Sequence, residues 1–492
     1  MAFGASWLLI LVIADRTRRQ PVAPSSPAAD GSDGVNYCSA PFSGAEGHPP
    51  AVGKPPLTLR AVAVIIRHGD RSAIHTIHNT TDPPPAWRCV PSAHEGAARR
   101  EWPALRAAFV VRRLSDGATL ARSLRPAVLA TDGATCEPGQ LTPRGFEQHV
   151  RLGRHLASAY SPLLDRISEE AESNGSTPIV FARSTDYGRT LLSAAGLLLG
   201  LLRAHPSLRP SPARPLTLFT EEDETADIMH GVGLAASSHP RGAARSVGGA
   251  NAETTRDGRC AAASDLARRQ LGRWRPDSGT WSRLTKLFGG AAMGRLLSTG
   301  IADALYARSC HELQPPCGAA GCVDEELQHA VSRDADAFYC LRFAGADGGL
   351  AAAKLSMLPL LLQVASRLEK AASRAGGDAR LLLFSGHDTV VAPLLAAIGG
   401  LRAPGACRWP PYASHVAFEV WERASSEEDA DDRRAGLLFV RVLFNGRVIT
   451  RYLTGCDALM PPSEHCPLDV FTSSVRALAA EFGRSCGLPI PN

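Results

Sequence analysis

The stretch that decides the fold is Ala61-Val62-Ala63-Val64-Ile65-Ile66-Arg67-His68-Gly69-Asp70-Arg71. Its first six residues are apolar and β-branched or small, and read as a strand. The strand ends in an imidazole flanked by two guanidinium groups. In open α/β sheets, ligands bind beyond the carboxyl ends of strands. Two arginines beside a histidine suit a phosphate dianion, because each holds its charge and offers a fixed fork of donors. Alone, Arg67-His68-Gly69 is a weak signal in a chain rich in Arg and Gly, and it needs partners further along.

Two later stretches supply them. Pro178-Ile179-Val180-Phe181-Ala182 is a short buried-type strand that runs into Arg183-Ser184-Thr185-Asp186-Tyr187-Gly188-Arg189-Thr190, and an apolar helix spans Leu191 to Leu202. Leu381-Leu382-Leu383-Phe384-Ser385 leads into Gly386-His387-Asp388, with a helix from Thr389 to Ile398. Strand, polar turn and helix therefore recur, as in a parallel α/β sheet. Leu141 to Tyr160 reads as a helix capped by Thr142 with Pro143 in its first turn. Leu350 to Ala372 is a longer helix, 217–219 a further strand, and 416–421 with 438–444 an edge hairpin. One helix is expected over 101–114, within an irregular surface excursion from 75 to 140.

The expected fold class is α/β: a mostly parallel central sheet flanked by helices, with an inserted, smaller, mainly helical domain. The expected divisions are a signal peptide or truncated signal anchor over 1–19 and a stem or linker over 20–56. The first part of the core follows over 57–228, the helical insertion over 229–349, and the second part of the core over 350–492.

In a parallel sheet the three strand ends lie on one edge. That would bring Arg67, His68, Arg71, Arg183, His387 and Asp388 into one cleft. Such a set fits phosphomonoester hydrolysis through a covalent intermediate. A neutral histidine is a nucleophile, and nearby arginines lower its pKa and keep it neutral. The same arginines stabilise the phosphoryl oxygens in the transition state. A sugar or alcohol leaving group needs a proton, which an adjacent Asp can deliver. This chemistry requires no metal and no cofactor. Taken singly, Asp388 is more often a helix cap and Arg183 a surface or salt-bridging residue; their joint placement at strand ends carries the argument.

Composition narrows the class and the compartment. The chain has 492 residues, 45% hydrophobic and 21% charged, so a large globular core can form. A formal charge of +5 with no dense basic tract gives no reason to expect nucleic acid as a partner. Twelve cysteines without a matching set of metal-ligand spacings favour disulfides, although sequence does not fix their pairing. Asn79-Thr80-Thr81 and Asn174-Gly175-Ser176 are acceptor sequons, making Asn79 and Asn174 glycosylation candidates. Both features point to the secretory pathway. Residues Ala2 to Ala14 are apolar but short of the roughly 20 residues a membrane span needs, so a signal peptide and a truncated anchor stay open. Pro21 to Gly34 has the composition of a flexible stem.

The motifs resemble the histidine phosphatase superfamily, acid phosphatase branch. Carried over position by position, the resemblance implies His68 as the phosphorylated nucleophile and Asp388 as the proton donor. It implies Arg67, Arg71, Arg183 and His387 as phosphate ligands. Tyr37-Cys38, Cys136 to Thr142, Pro316-Cys317 through Gly321-Cys322-Val323-Asp324, Phe418 to Trp421 and Val442 to Gly446 further resemble the members acting on 2-phosphoxylose. That implies a phosphorylated sugar of the glycosaminoglycan–protein linkage region as substrate. It also implies a type II Golgi membrane protein, anchored through the N-terminus. The alternatives are a broad-specificity secreted or lysosomal acid phosphatase and a luminal phosphate-binding protein without turnover.

Overall fold

The computed structural model describes residues 37–49, 57–83, 85, 87, 89, 108–120, 136–174, 180–203, 205, 208–211, 215–222, 227–229, 266, 269, 275–345, 348–373, 378–423, 437–459 and 463–482. The expected N-terminal segment, residues 21–34 of the stem, the stretch 230–263 and the acidic run 427–432 lie outside the described residues.

The strands are β1 (Leu57–Arg67), β2 (Phe109–Arg113), β3 (Val180–Ser184), β4 (Leu216–Thr220), β5 (Cys317–Gly318), β6 (Gly321–Cys322), β7 (Leu381–Gly386), β8 (His415–Arg423), β9 (Leu438–Phe444), β10 (Arg447–Val448) and β11 (Cys466–Pro467). The longer helices are α1 (Pro143–Ala159), α2 (Ser161–Asn174), α3 (Gly188–Leu202), α4 (Ser278–Phe288), α5 (Gly290–Cys310), α6 (Glu325–Ala344), α7 (Gly349–Ala372), α8 (Asp388–Ala397) and α9 (Leu468–Phe482).

The main sheet runs β10-β9-β8-β1-β7-β3-β4-β2, with β11 also on β9. Its central strands β1, β7, β3, β4 and β2 are parallel. The hairpin β8–β9 extends it antiparallel from β1. The sheet thus has the expected α/β class. Helices cover both faces because the parallel strands are apolar on both. One core packs α7, α8 and α9 against Ile65, Phe181 and Phe384. The other packs α1, α2 and α3 against Val64, Ala182 and Leu383. Helix α7 is long and apolar enough to cross a membrane, but 61% of its most apolar window is buried in this core.

A third apolar cluster joins α4, α5 and α6 to Tyr37, Ile77, Trp409 and Tyr412. These helices are the described part of the expected insertion. Asp324 caps α6 by accepting from Leu327 N at 2.8 Å, and Glu325 and Glu326 complement the helix dipole in its first turn.

Two local expectations change. Residues 109–113, expected as helix, form β2, which pairs in parallel with β4 from Phe109↔Leu216 to Arg113↔Thr220. Phe109, Val110 and Val111 favour a strand, and a sheet edge with β4 exposed gives it a partner, so pairing overrides the helical reading. Residues 37–49 fall in the stretch expected to be stem, yet Tyr37, Ala40 and Glu46 are buried. A disulfide from Cys38 to Cys310 at the end of α5 ties this segment down. The other disulfides among the described residues are Cys89–Cys136, Cys317–Cys322, Cys340–Cys407 and Cys456–Cys466.

Candidate active site

Strand register brings the motifs together. Arg67 pairs with Gly386, and Ser184 pairs with Ser385, so β1, β7 and β3 end at one level. His68, Thr185 and His387 are the next residues along each. Gly69 follows because nothing larger fits: a Cβ there would lie 2.2 Å from the Gly145 carbonyl oxygen at the start of α1. Thr142 caps α1 through Gly145 N at 3.1 Å and donates its hydroxyl to Asp70 Oδ2 at 2.5 Å. His311 Nε2, just past α5, lies 2.7 Å from the same oxygen. The turn is thus bolted to a core helix and to the helical insertion.

His68 is buried, 2% exposed, and its ring centroid is 5.5 Å from that of His387. Its Nδ1 lies 2.8 Å from the Gly69 carbonyl. A carbonyl can only accept, so Nδ1 carries the proton and Nε2 keeps its lone pair. Burial drives its pKa well below the ordinary value, and the charges of Arg189, Arg67 and Arg71 push the same way. The imidazole is held neutral.

Arg67 is fully buried. Burial opposes its charge, but Tyr37 and Asp388 outweigh that and raise its pKa. It donates to the Tyr37 hydroxyl at 2.6 Å and to the Pro410 carbonyl, and forms an ion pair with Asp388 Oδ2 at 3.0 Å. Tyr412, Tyr37 and Trp409 surround its guanidinium at 4.5, 5.0 and 5.9 Å from their ring centroids. Arg71 pairs with Asp303 of α5 at 2.8 Å. Asp303 also accepts from Ile74 N at 2.8 Å and His75 N at 3.1 Å. Burial works against the charged Asp303, yet Arg71 and His75 hold its carboxyl below the usual range.

His387 Nε2 lies 3.0 Å from the Thr185 hydroxyl, and its ring meets Tyr187 edge-on at 5.2 Å. Asp388 opens α8. Trp409 Nε1 donates to its Oδ2 at 2.7 Å, and Thr389 N to its Oδ1 at 2.7 Å.

Arg183, expected as a phosphate ligand, lies at the end of β3 beside the cleft and has protein partners of its own. It shares the sheet face of Phe181 with α7, and donates to Gln363 of that helix and to Asp227, each at 3.3 Å. Arg189, in the first turn of α3, is the charge that acts most strongly on His68. Burial and the charge of Arg71 lower its pKa to about 10, and it lies over the Tyr187 ring at 4.4 Å. By strand alternation Arg183 belongs to the sheet face covered by α7 and α8, while Arg189 approaches from α3 on the other face. The helix start after Tyr187 was the signal that could have singled out Arg189. Sequence reasoning gave Tyr37 no site role, although Tyr37-Cys38 is one of the resembling segments, and it missed Asp303, Trp409 and Tyr412, which belong to no local motif.

Arg67, Arg71, Arg183 and Arg189 each keep a buried Nε–H without a protein acceptor among the described residues. Buried donors of this kind call for an acceptor, and an oxyanion supplies several. Of the sequon residues, Asn79 is on the surface with its side-chain amide donating to the Phe288 carbonyl at 2.8 Å; the side chain of Asn174 lies outside the described set.

A neutral buried histidine ringed by guanidinium groups at the strand ends of an α/β sheet defines a phosphoryl-transfer site. The pattern of the histidine phosphatase superfamily (branch 2) matches residues 58–445, and the chain belongs to that family. It is a histidine-type acid phosphatase, a phosphoric monoester hydrolase. Among relatives, 2-phosphoxylose phosphatase 1 of Danio rerio is 27% identical over 94% of this chain and 87% of its own length. Counting factor 60 of Dictyostelium discoideum is 25% identical, covering 92% of each chain. Human testicular acid phosphatase is 27% identical over 71% of this chain and 74% of its own. Among solved structures, Hafnia alvei phytase in complex with tartrate superposes with a TM-score of 0.51 at 16% identity, covering 89% of this chain and 100% of the phytase. The last shows the fold.

Proposed function

We propose that this phosphatase works through a phosphohistidine on His68 and that its substrate is 2-phosphoxylose in the glycosaminoglycan–protein linkage region. The observation that carries the mechanism is the fixed tautomer of His68: Nδ1 is spent on the Gly69 carbonyl, so Nε2 faces the reaction with a free lone pair. In the proposed reaction, Nε2 attacks phosphorus in line with the departing sugar oxygen. Arg67, Arg71, Arg183, Arg189 and His387 bind the three equatorial oxygens and offset the charge there. Asp388 protonates the leaving alkoxide, then takes a proton from the water that cleaves the phosphohistidine. Phosphate leaves and neutral His68 is restored.

The substrate reading is supported by similarity to proteins named 2-phosphoxylose phosphatase 1, which covers most of both chains. The five disulfides among the described residues fit an oxidising lumen, and Golgi placement follows from the substrate. A second reading, a broad-specificity secreted or lysosomal acid phosphatase, is favoured by the similarity to testicular acid phosphatase.

The test has two parts. Labelled phosphate from a substrate should be trapped on the wild-type chain and not on His68→Ala; label retained in that variant would remove His68 as nucleophile. Turnover of a 2-phosphoxylosyl linkage oligosaccharide should exceed that of other sugar phosphates. Equal turnover would leave the mechanism standing and favour the second reading.

A further inference from the structure

A cavity of about 210 Å³ lies on the far side of the loop that supports the candidate active site. Its wall is formed by the turn at Pro404 and Gly405, by Arg408 and Pro411, and by the β9–β10 hairpin with the turn after it. The loop 408–414 therefore has two working faces. On one, Trp409 donates to Asp388, the Pro410 carbonyl accepts from Arg67, and Tyr412 covers Arg67. On the other, Arg408 and Pro411 line this cavity, which holds none of the residues assigned to phosphate binding.

The lining has a distinctive charge. It includes the guanidinium groups of Arg408, Arg447 and Arg451, and no carboxylate. Arg408 is partly answered by Asp336, whose pKa burial pushes up and Arg408 only partly holds down. Arg447 and Arg451 make no ion pair among the described residues. Nearby Arg402, outside the cavity, is by contrast paired with Asp457 at 2.8 Å. The Nη1 of Arg447 reaches to within 3.6 Å of the position a Gly405 Cβ would take, so its head group lies against the cavity's own turn. Phe444, Ile449 and Tyr452 supply an apolar wall.

We infer that this cavity is a second anion site, distinct from the phosphate pocket, and that it takes a carboxylate carried on a single ring. Guanidinium groups match a carboxylate in shape and charge. The volume and the apolar wall suit a ring beside it, as binding pockets combine an apolar surface with a few placed polar groups. The ring can come from a sugar acid or an aromatic acid, and the probes separate these sources.

The experiment is calorimetric titration of the full chain with D-glucuronate and, separately, with benzoate. At least one should bind with a stoichiometry of one. The double variant Arg447→Ala/Arg451→Ala should weaken binding by roughly tenfold or more, the loss expected when hydrogen bonds to a charged group are removed. Its hydrolysis of nitrophenyl phosphate without the ring acid should match wild type, which shows that it is folded. Arg189→Ala should leave ring-acid binding unchanged, since that residue lines the other pocket. Binding by glucuronate alone identifies a sugar site, and by benzoate alone an aromatic one. No binding of either probe, loss of binding in Arg189→Ala, or unchanged affinity in the double variant would overturn the inference.

Discussion

His149 offers a measurable link between the buried site and pH. It sits on α1, fully buried, with its ring beside the Arg67 backbone carbonyl but without a well-aligned hydrogen bond. Burial lowers its pKa from 6.5 to about 3. The unfolded chain therefore binds a proton at this residue below about pH 6.5 while the folded chain does not. Stability from this residue is complete above pH 6.5 and is lost as pH falls toward 3. At pH 5 the gap is about 1.5 pH units at about 1.36 kcal/mol each, or roughly 2 kcal/mol. His149→Leu has similar volume and no charge at any pH. Urea unfolding of both proteins at pH 7.5 and pH 5.0 measures the difference: wild type should lose ~2 kcal/mol more than the variant on acidification. Parallel losses in the two proteins would refute the reasoning. The outcome matters for an acid phosphatase, because the carbonyl beside His149 belongs to the residue that precedes the proposed nucleophile.

Three further outcomes follow from the site. Arg189→Ala should lower kcat/KM by ~10²–10³-fold, the loss typical of a charge-stabilising donor, while Arg183→Ala should lower it less, because Asp227 and Gln363 already hold part of that guanidinium; a larger loss in Arg183→Ala would refute this order. Asp303→Asn leaves Arg71 buried beside a neutral amide. It should destabilise the fold by about 3–5 kcal/mol and raise KM, both checked by unfolding and steady-state assays, and an unchanged KM would separate Asp303 from phosphate binding. Asp388→Asn should slow release of alkyl leaving groups ~10²–10⁴-fold and that of nitrophenolate far less, because only the alkoxide needs a proton. Equal slowing on both substrates would argue against Asp388 as the acid.

Most of the fold was legible because its signals are local. The apolar runs ending at Arg67 and at Ser385, and the Thr142 cap with Pro143, are contiguous in sequence, and contiguous residues decide strand and helix formation before tertiary contacts act. The helix α9 and the short strands β10 and β11 were not foreseen. Helix α9 carries a helical spacing at Leu468, Phe471, Val475 and Leu478 that could have been read, whereas β10 and β11 are two residues each and form because β9 gives them a partner.

The site divides in the same way. His68, Arg67, Arg71, His387 and Asp388 could be nominated from sequence because strand ends in a parallel sheet share one edge. Arg189 could not, since its approach to His68 depends on where α3 begins. Tyr37, Asp303, Trp409 and Tyr412 lie up to hundreds of residues from the motifs they support. Sequence alone determined the reaction type, because that chemistry resides in side chains beside their own strands. Tertiary structure decided which arginines face the nucleophile, how its tautomer is fixed and which cysteines pair, because those depend on distances closed only when remote segments pack.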